Sequence, residues 1–160
     1  MITLERLREV LEYNPESGVW VWVGRTGNKS KPGKIAGSLD NNGYVVIRID
    51  RAIYKAHRLA WLFMTGEWPR STVDHINLEH ADNRWVNLRE ATYSQNNANR
   101  GPRSDCKSGV KGVTRSANGK RWVAHAFNEH IGTFDTIEQA RDAYQKYAKQ
   151  KQGEFAWLRT

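Results

Sequence analysis

Hydrophobic positions along this chain change period several times, and each change marks an element. In residues 3–12, Leu4, Leu7, Val10 and Leu11 recur at helical spacing after Thr3, which predicts a short amphipathic helix capped by that threonine. Asn14-Pro15-Glu16-Ser17-Gly18 is a turn. Residues 19–23 alternate Val and Trp, which predicts a strand with Trp20 and Trp22 on one face. Residues 24–42 are glycine-rich and carry several lysines, and they read as an irregular basic loop. Residues 44–49 form a strong strand, and Asp50-Arg51 turns the chain into Ala52-Ile53-Tyr54.

Residues 56–66 return to helical spacing through Leu59, Leu62 and Phe63, with Gly66 and Pro69 ending the run. Two further strands follow, over 71–76 and 85–92, and then a helix over 93–100 with Thr92 as its cap. Residues 101–108 have linker composition. The pattern then restarts as three strands, at 110–115, 121–127 and 131–134. Asn118-Gly119 marks a tight hairpin turn. A final helix runs over 137–152 behind Thr136, with Ala140, Ala143 and Tyr144 on its core face. The fold class is α+β, with a first module over 1–100 and a second over 109–155.

The chain has 160 residues, 39% of them hydrophobic and 11% aromatic, which allows one or two small cores. The net charge of +8 is uneven. Residues 1–97 hold 13 basic and 11 acidic side chains, whereas residues 98–160 hold 12 and 6. Such a basic C-terminal part points to a polyanion, nucleic acid first. Cys106 is the single cysteine, so no intrachain disulfide and no cysteine-based zinc site can form. No apolar run approaches the ~18 residues of a membrane span. The N-terminus lacks the apolar core of a signal peptide. Both features lead us to expect an intracellular protein.

The candidate chemistry lies at the end of the 71–76 strand. Asp74 and His75 are adjacent there, Asn87 follows 13 positions after Asp74, and Asn96 follows 22 after it. A carboxylate and an amide oxygen can hold a hard divalent cation whose shell is completed by water and phosphate. An imidazole can take the proton from an attacking water. In an extended strand Asp74 and His75 face opposite ways, so only a strand end or bend lets them converge.

The spaced set Asp74-His75-Ile76-Asn77, Asp82-Asn83-Arg84, Asn87-Leu88-Arg89, Thr92 and Ser94-Gln95-Asn96-Asn97, with His57-Arg58-Leu59-Ala60-Trp61 upstream, resembles the HNH endonuclease family. The resemblance covers residues 1–100. It implies a ββα-metal (His-Me finger) unit with its core near 71–100. It implies His75 as general base, and Asp74 and Asn96 as ligands of one divalent metal, Mg²⁺ first and Mn²⁺ as the alternative. Asn87 would hold the loop and orient the imidazole. Asn at the third motif position, where many members carry His, resembles the homing-type members found in phages and introns. A phage-encoded chain would act in the cytoplasm of a bacterial host. Arg58, Arg84, Arg89 and Arg100 are candidate phosphate contacts, each equally readable as a solvated or ion-paired side chain. His57 reads as structural or as a phosphate contact, and His80 as a loop residue near solvent or DNA.

In the second module, Gly109-Val110-Lys111-Gly112-Val113, Gly119-Lys120-Arg121-Trp122-Val123-Ala124, Ile131-Gly132-Thr133-Phe134 and Ala140-Arg141-Asp142-Ala143-Tyr144 resemble the AP-two/ERF DNA-binding domain. That resemblance implies a three-stranded antiparallel sheet docking on double-stranded DNA, with a helix bracing it. Arg115, Lys120 and Arg121 are the expected DNA contacts, Lys111 a phosphate contact, and Trp122 either a DNA contact or core.

The expected protein is therefore a metal-dependent DNA endonuclease without a small-molecule cofactor or membrane partner. The choice between monomer and homodimer stays open. The alternative is a DNA-binding regulator with an inactive nuclease-like module. An RNA-processing role fits the sheet less well, because A-form grooves suit it poorly.

Overall fold

The computed structural model describes residues 1–27 and 30–158. The chain divides into two compact units, Met1–Thr92 and Tyr93–Thr160. Both are built from small antiparallel sheets and helices, so the α+β class is observed directly.

In the first unit, α1 (Leu4–Val10) starts where the Thr3 side chain accepts a hydrogen bond from the Arg6 amide. It ends two residues earlier than its periodicity predicts. Leu11 adopts extended φ and ψ and leads into β1 (Leu11–Tyr13), so Leu11 and Tyr13 alternate inward instead of continuing the helical stripe. β1 pairs with β2 (Trp20–Trp22) through Leu11↔Trp22 and Tyr13↔Trp20, and both tryptophans are buried. The Trp20 ring meets Tyr13 at 4.8 Å and stands edge-on to Phe63 at 5.6 Å.

Part of the expected basic loop is ordered as β3 (Ser38–Leu39). It pairs with β4 (Val45–Ile49), which pairs with β5 (Ala52–Lys55). The turn between β4 and β5 places Asp50 and Arg51 at φ 45° and 69°, the handedness of a two-residue hairpin turn. Helix α2 (Ala56–Thr65) buries Ala56, Leu59, Ala60 and Leu62 and closes on Gly66 in the left-handed region.

Two short strands complete the unit, β6 (Thr72–His75) and β7 (Leu88–Ala91), in the register Asp74↔Arg89 and His75↔Leu88. The strand expected over 85–92 is shorter than its pattern. Trp85–Asn87 is a single 3-10 turn, because the Asn87 amide donates back to Arg84 O and its side chain serves the preceding loop.

The second unit begins with α3 (Tyr93–Asn99). Its sheet has the order β10-β9-β8, from β8 (Val113–Arg115), β9 (Trp122–Ala126) and β10 (Glu129–Phe134). β8 starts later than its apolar pattern because Gly109 and Gly112 hold φ of 69° and 71° and turn the chain before it. α4 (Ile137–Gln152) begins in a capping box between Thr136 and Gln139 and covers the sheet. Val113, Ala124, Ala126, Ala140, Tyr144 and Ala148 form this core, with Trp122 packed at its edge. No helix among the described residues is long and apolar enough to cross a membrane.

Candidate active site

The chemistry-bearing residues of the first unit gather around the end of β6. Asp74 and His75 are 4% and 3% exposed. Adjacent strand residues face opposite ways, and these two serve different neighbours. The Asp74 carboxylate accepts from Arg89 Nε at 3.0 Å and Nη2 at 2.9 Å, across the register that pairs the two residues. Arg89 is itself mostly buried, so this ion pair is shielded from solvent.

His75 faces a ring cluster. Its imidazole stands edge-on to His57 at 4.9 Å and lies 5.9 Å from the Tyr44 ring. Tyr44 in turn stacks on His80 at 4.0 Å. His80 Nδ1 lies 2.8 Å from Asn42 O, so this loop residue has a backbone partner in the first unit.

His75 Nε2 lies 3.3 Å from Asn83 Oδ1. The Asn83 amide donates its own N–H to Ala81 O at 3.1 Å, which fixes which end of the amide faces the imidazole. An oxygen facing Nε2 makes Nε2 the protonated nitrogen, and the lone pair then resides on Nδ1. Burial lowers the pKa of His75, outweighing the Asn83 hydrogen bond that raises it, so the ring is neutral at pH 7.

The loop that presents Asn83 is held from several directions. Asn87 Nδ2 donates to Asn77 Oδ1 at 2.9 Å and to Asp82 O at 2.8 Å, while its Oδ1 accepts from the Asn77 amide. Asn77 Nδ2 donates to Asp82 Oδ2 at 2.7 Å. Asn87 thus ties Asn77 to the Asp82 backbone, while the side-chain contact at His75 Nε2 comes from Asn83. The hydroxyl of Tyr13 donates to Asn83 O at 2.6 Å from the first hairpin. Gly18, at φ 72°, presses against the same backbone, where a Cβ would stand 2.5 Å from Arg84 N. Sequence reading assigns Asn83 no role of its own. Its place in Asp82-Asn83-Arg84 is the signal that marks it.

His57 is 6% exposed, and its Nδ1 is buried without a hydrogen-bond partner. Burial, then the neighbouring His75, pushes its pKa down to about 3.

Among the described residues no group of three or more His, Cys, Asp or Glu side chains could hold a metal ion. The donor set the sequence nominates is Asp74 and Asn96, one carboxylate and one amide. As ligand types such a set would leave most of a hard cation's shell to water or phosphate oxygens. It does not fit a preformed protein cage. Asn96 lies half-buried on α3 in the second unit.

The expected phosphate contacts are occupied to different degrees. Arg89 is paired with Asp74, and Arg84 grips Asp82 with two hydrogen bonds of 2.8 and 2.7 Å that hold the Asp82 pKa at about 2. Arg58 lies over the Trp68 ring at 5.9 Å. Arg100 and Lys120 are exposed. Arg115 lies 4.1 Å over Trp122 and donates to Gly119 O. Arg121 is exposed and paired with Asp135. Lys111 has no free N–H for a phosphate, because its ammonium donates to three backbone carbonyls.

Comparison with known proteins finds a match over this stretch of the chain. Residues 54–98, which hold His57, Asp74, His75, Asn83, Asn87 and Arg89, match the family model described as HNH endonuclease. An uncharacterized HNH endonuclease of Acanthamoeba polyphaga mimivirus is 32% identical over 120 residues, 74% of this chain and 63% of that protein. The chain therefore spans somewhat less than two thirds of that relative's length. No solved structure matches it. The similarity of this chain to the HNH endonuclease family is thus carried by residues 54–98.

Proposed function

We propose that this protein is a metal-assisted DNA endonuclease in which His75 is the general base. The observation that carries the reading is the neutral, buried imidazole with its Nε2 turned to Asn83. In this reading the His75 imidazole takes a proton from a water whose oxygen attacks phosphorus, and the bond from phosphorus to the leaving oxygen breaks. A divalent cation, when bound, supplies charge neutralisation at the phosphate and the leaving oxygen. Asp74 and Asn96 would hold it, with Mg²⁺ the expected ion and Mn²⁺ the alternative. Asn87 and Asn83 keep the loop and the imidazole in place.

Double-stranded DNA is the proposed substrate. The second unit is proposed to select the site through its basic sheet, as an AP-two/ERF-like module. Support comes from the sequence resemblance, the charge of residues 98–160 and the exposed Lys120 and Arg121. The homing-type, phage-borne reading rests on the Asn at position 96.

The test is cleavage of supercoiled plasmid with Mg²⁺. The wild-type chain should nick or linearise it, and His75→Ala should bind DNA yet cut at least a hundredfold more slowly. Cutting by His75→Ala at the wild-type rate defeats the assignment. A second reading, a DNA-binding regulator that does not cut, is favoured by the Arg89 guanidinium already seated on Asp74. It predicts a mobility shift and intact plasmid under the same conditions.

A further inference from the structure

α3 has seven residues, too few for a helix to persist in water by itself. Its C-terminal carbonyls also need donors. Lys111 meets that need from the start of the second unit's sheet. Its Nζ donates to Asn97 O at 3.1 Å, Ala98 O at 2.8 Å and Arg100 O at 2.6 Å. An ammonium has three N–H groups, and here each has a carbonyl. A cation at this end also complements the helix dipole.

The base of that side chain is fixed in turn. Gly112 O accepts from the His125 amide on β9 at 2.8 Å. A Cβ at Gly112 would come within 2.3 Å of the Tyr144 ring on α4. The backbone beside Lys111 is thus clamped between strand and helix, and the ammonium carries that rigidity to α3. Nothing in the nuclease motif calls for a lysine 15 residues past Asn96.

We infer that Lys111 is a positioning residue that ties α3, and with it Asn96, to the β8–β10 sheet. The inference rests on the reading of Asn96 as a metal ligand. It gives that ligand a dependence on a lysine that lies outside the HNH motif.

The experiment compares the full chain with Lys111→Met, which keeps the stem and removes the donors, and Lys111→Arg, which keeps a cation. Amide hydrogen exchange without metal or DNA should show protection at residues 96–99 falling at least tenfold in Lys111→Met. The β6–β7 and β8–β10 amides should be unchanged, and Lys111→Arg should recover part of the loss. The Mn²⁺ concentration for half-saturation, read by electron paramagnetic resonance, should rise severalfold. kcat should fall about tenfold, with the dissociation constant for uncut DNA within twofold. Wild-type protection of α3 in Lys111→Met overturns the inference, as does weaker DNA binding with unchanged kcat. If Lys111→Met does not fold, unaltered α3 exchange in Lys111→Gln overturns it equally. Asn96→Ala separates the two layers. Unchanged Mn²⁺ affinity in that variant defeats the ligand reading, while the tie to α3 is judged on exchange alone.

Discussion

Asn83 and His75 meet through a single hydrogen-bonding contact of 3.3 Å, and the Asn83 amide is itself pinned by Ala81 O. That arrangement sets the tautomer of the proposed base. Asn83→Ala should lower kcat about ten- to a hundredfold, the usual effect of removing a residue that orients a functional imidazole, with DNA affinity unchanged. Asn83→Asp should instead raise the His75 pKa, moving the acid limb of the pH–rate profile to higher pH. A profile for Asn83→Asp that superimposes on the wild type would exclude this role.

Acid should unfold the first unit early. The folded-state pKa of His57 is depressed to about 3, and that of His75 is lowered as well, while both take protons near 6.5 when unfolded. Their contribution is therefore present above pH 6.5 and lost as pH falls. The expected loss is up to about 1.4 kcal/mol per pH unit for each histidine. Urea denaturation at pH 7, 6 and 5 measures it. His57→Phe should flatten the slope by about one proton.

The buried Asp74–Arg89 pair should behave as a unit. Arg89→Leu strands a carboxylate that is 4% exposed, and should destabilise the fold by about 3–5 kcal/mol. Asp74→Asn combined with Arg89→Leu should restore much of that stability and remain inactive. Thermal denaturation of the three variants decides it, and additive losses would show that the pair is not coupled.

Gly18 should matter to a loop some 65 positions away in sequence. Gly18→Ala puts a methyl 2.5 Å from the Arg84 amide and forces alanine to φ 72°. We expect about 1–3 kcal/mol of destabilisation and reduced kcat, because that backbone presents Asn83. Crystallographic or NMR comparison of the 80–87 segment would show the displacement. An unchanged segment with full activity would rule it out.

Much of the architecture was legible from periodicity. The Trp20/Trp22 face and the α2 stripe ending at Gly66 are local patterns whose burial follows their spacing, and the Thr136-capped α4 buries Ala140, Tyr144 and Ala148 while the expected core residue Ala143 is only partly covered. The shortened elements were not. α1 gives way at Leu11 because pairing with Trp22 wins over one more helical turn, and Trp85–Asn87 leaves the strand because the Asn87 side chain is consumed by the loop. In the site, Asp74, His75 and Asn87 were visible as spaced polar residues. The role of Asn83 was not, since a turn asparagine and an imidazole-orienting asparagine look alike until the loop closes. Nor was the seat of Arg89 or Lys111. A basic side chain reads as a phosphate contact in sequence, and only three-dimensional neighbours reveal that its donors are already spoken for.

The guanidinium on Asp74 also bears on how the protein exists before it meets any cation. A buried carboxylate without compensation would make the fold a hostage to metal supply. With Arg89 acting as an internal counter-ion, the charge is balanced from the moment the β6–β7 ladder zips. A chelator-treated preparation should accordingly keep its native circular dichroism spectrum and cooperative melt. Folding and catalysis would then have separate ion requirements, and the chain can mature in a metal-poor setting without being exposed to unfolding.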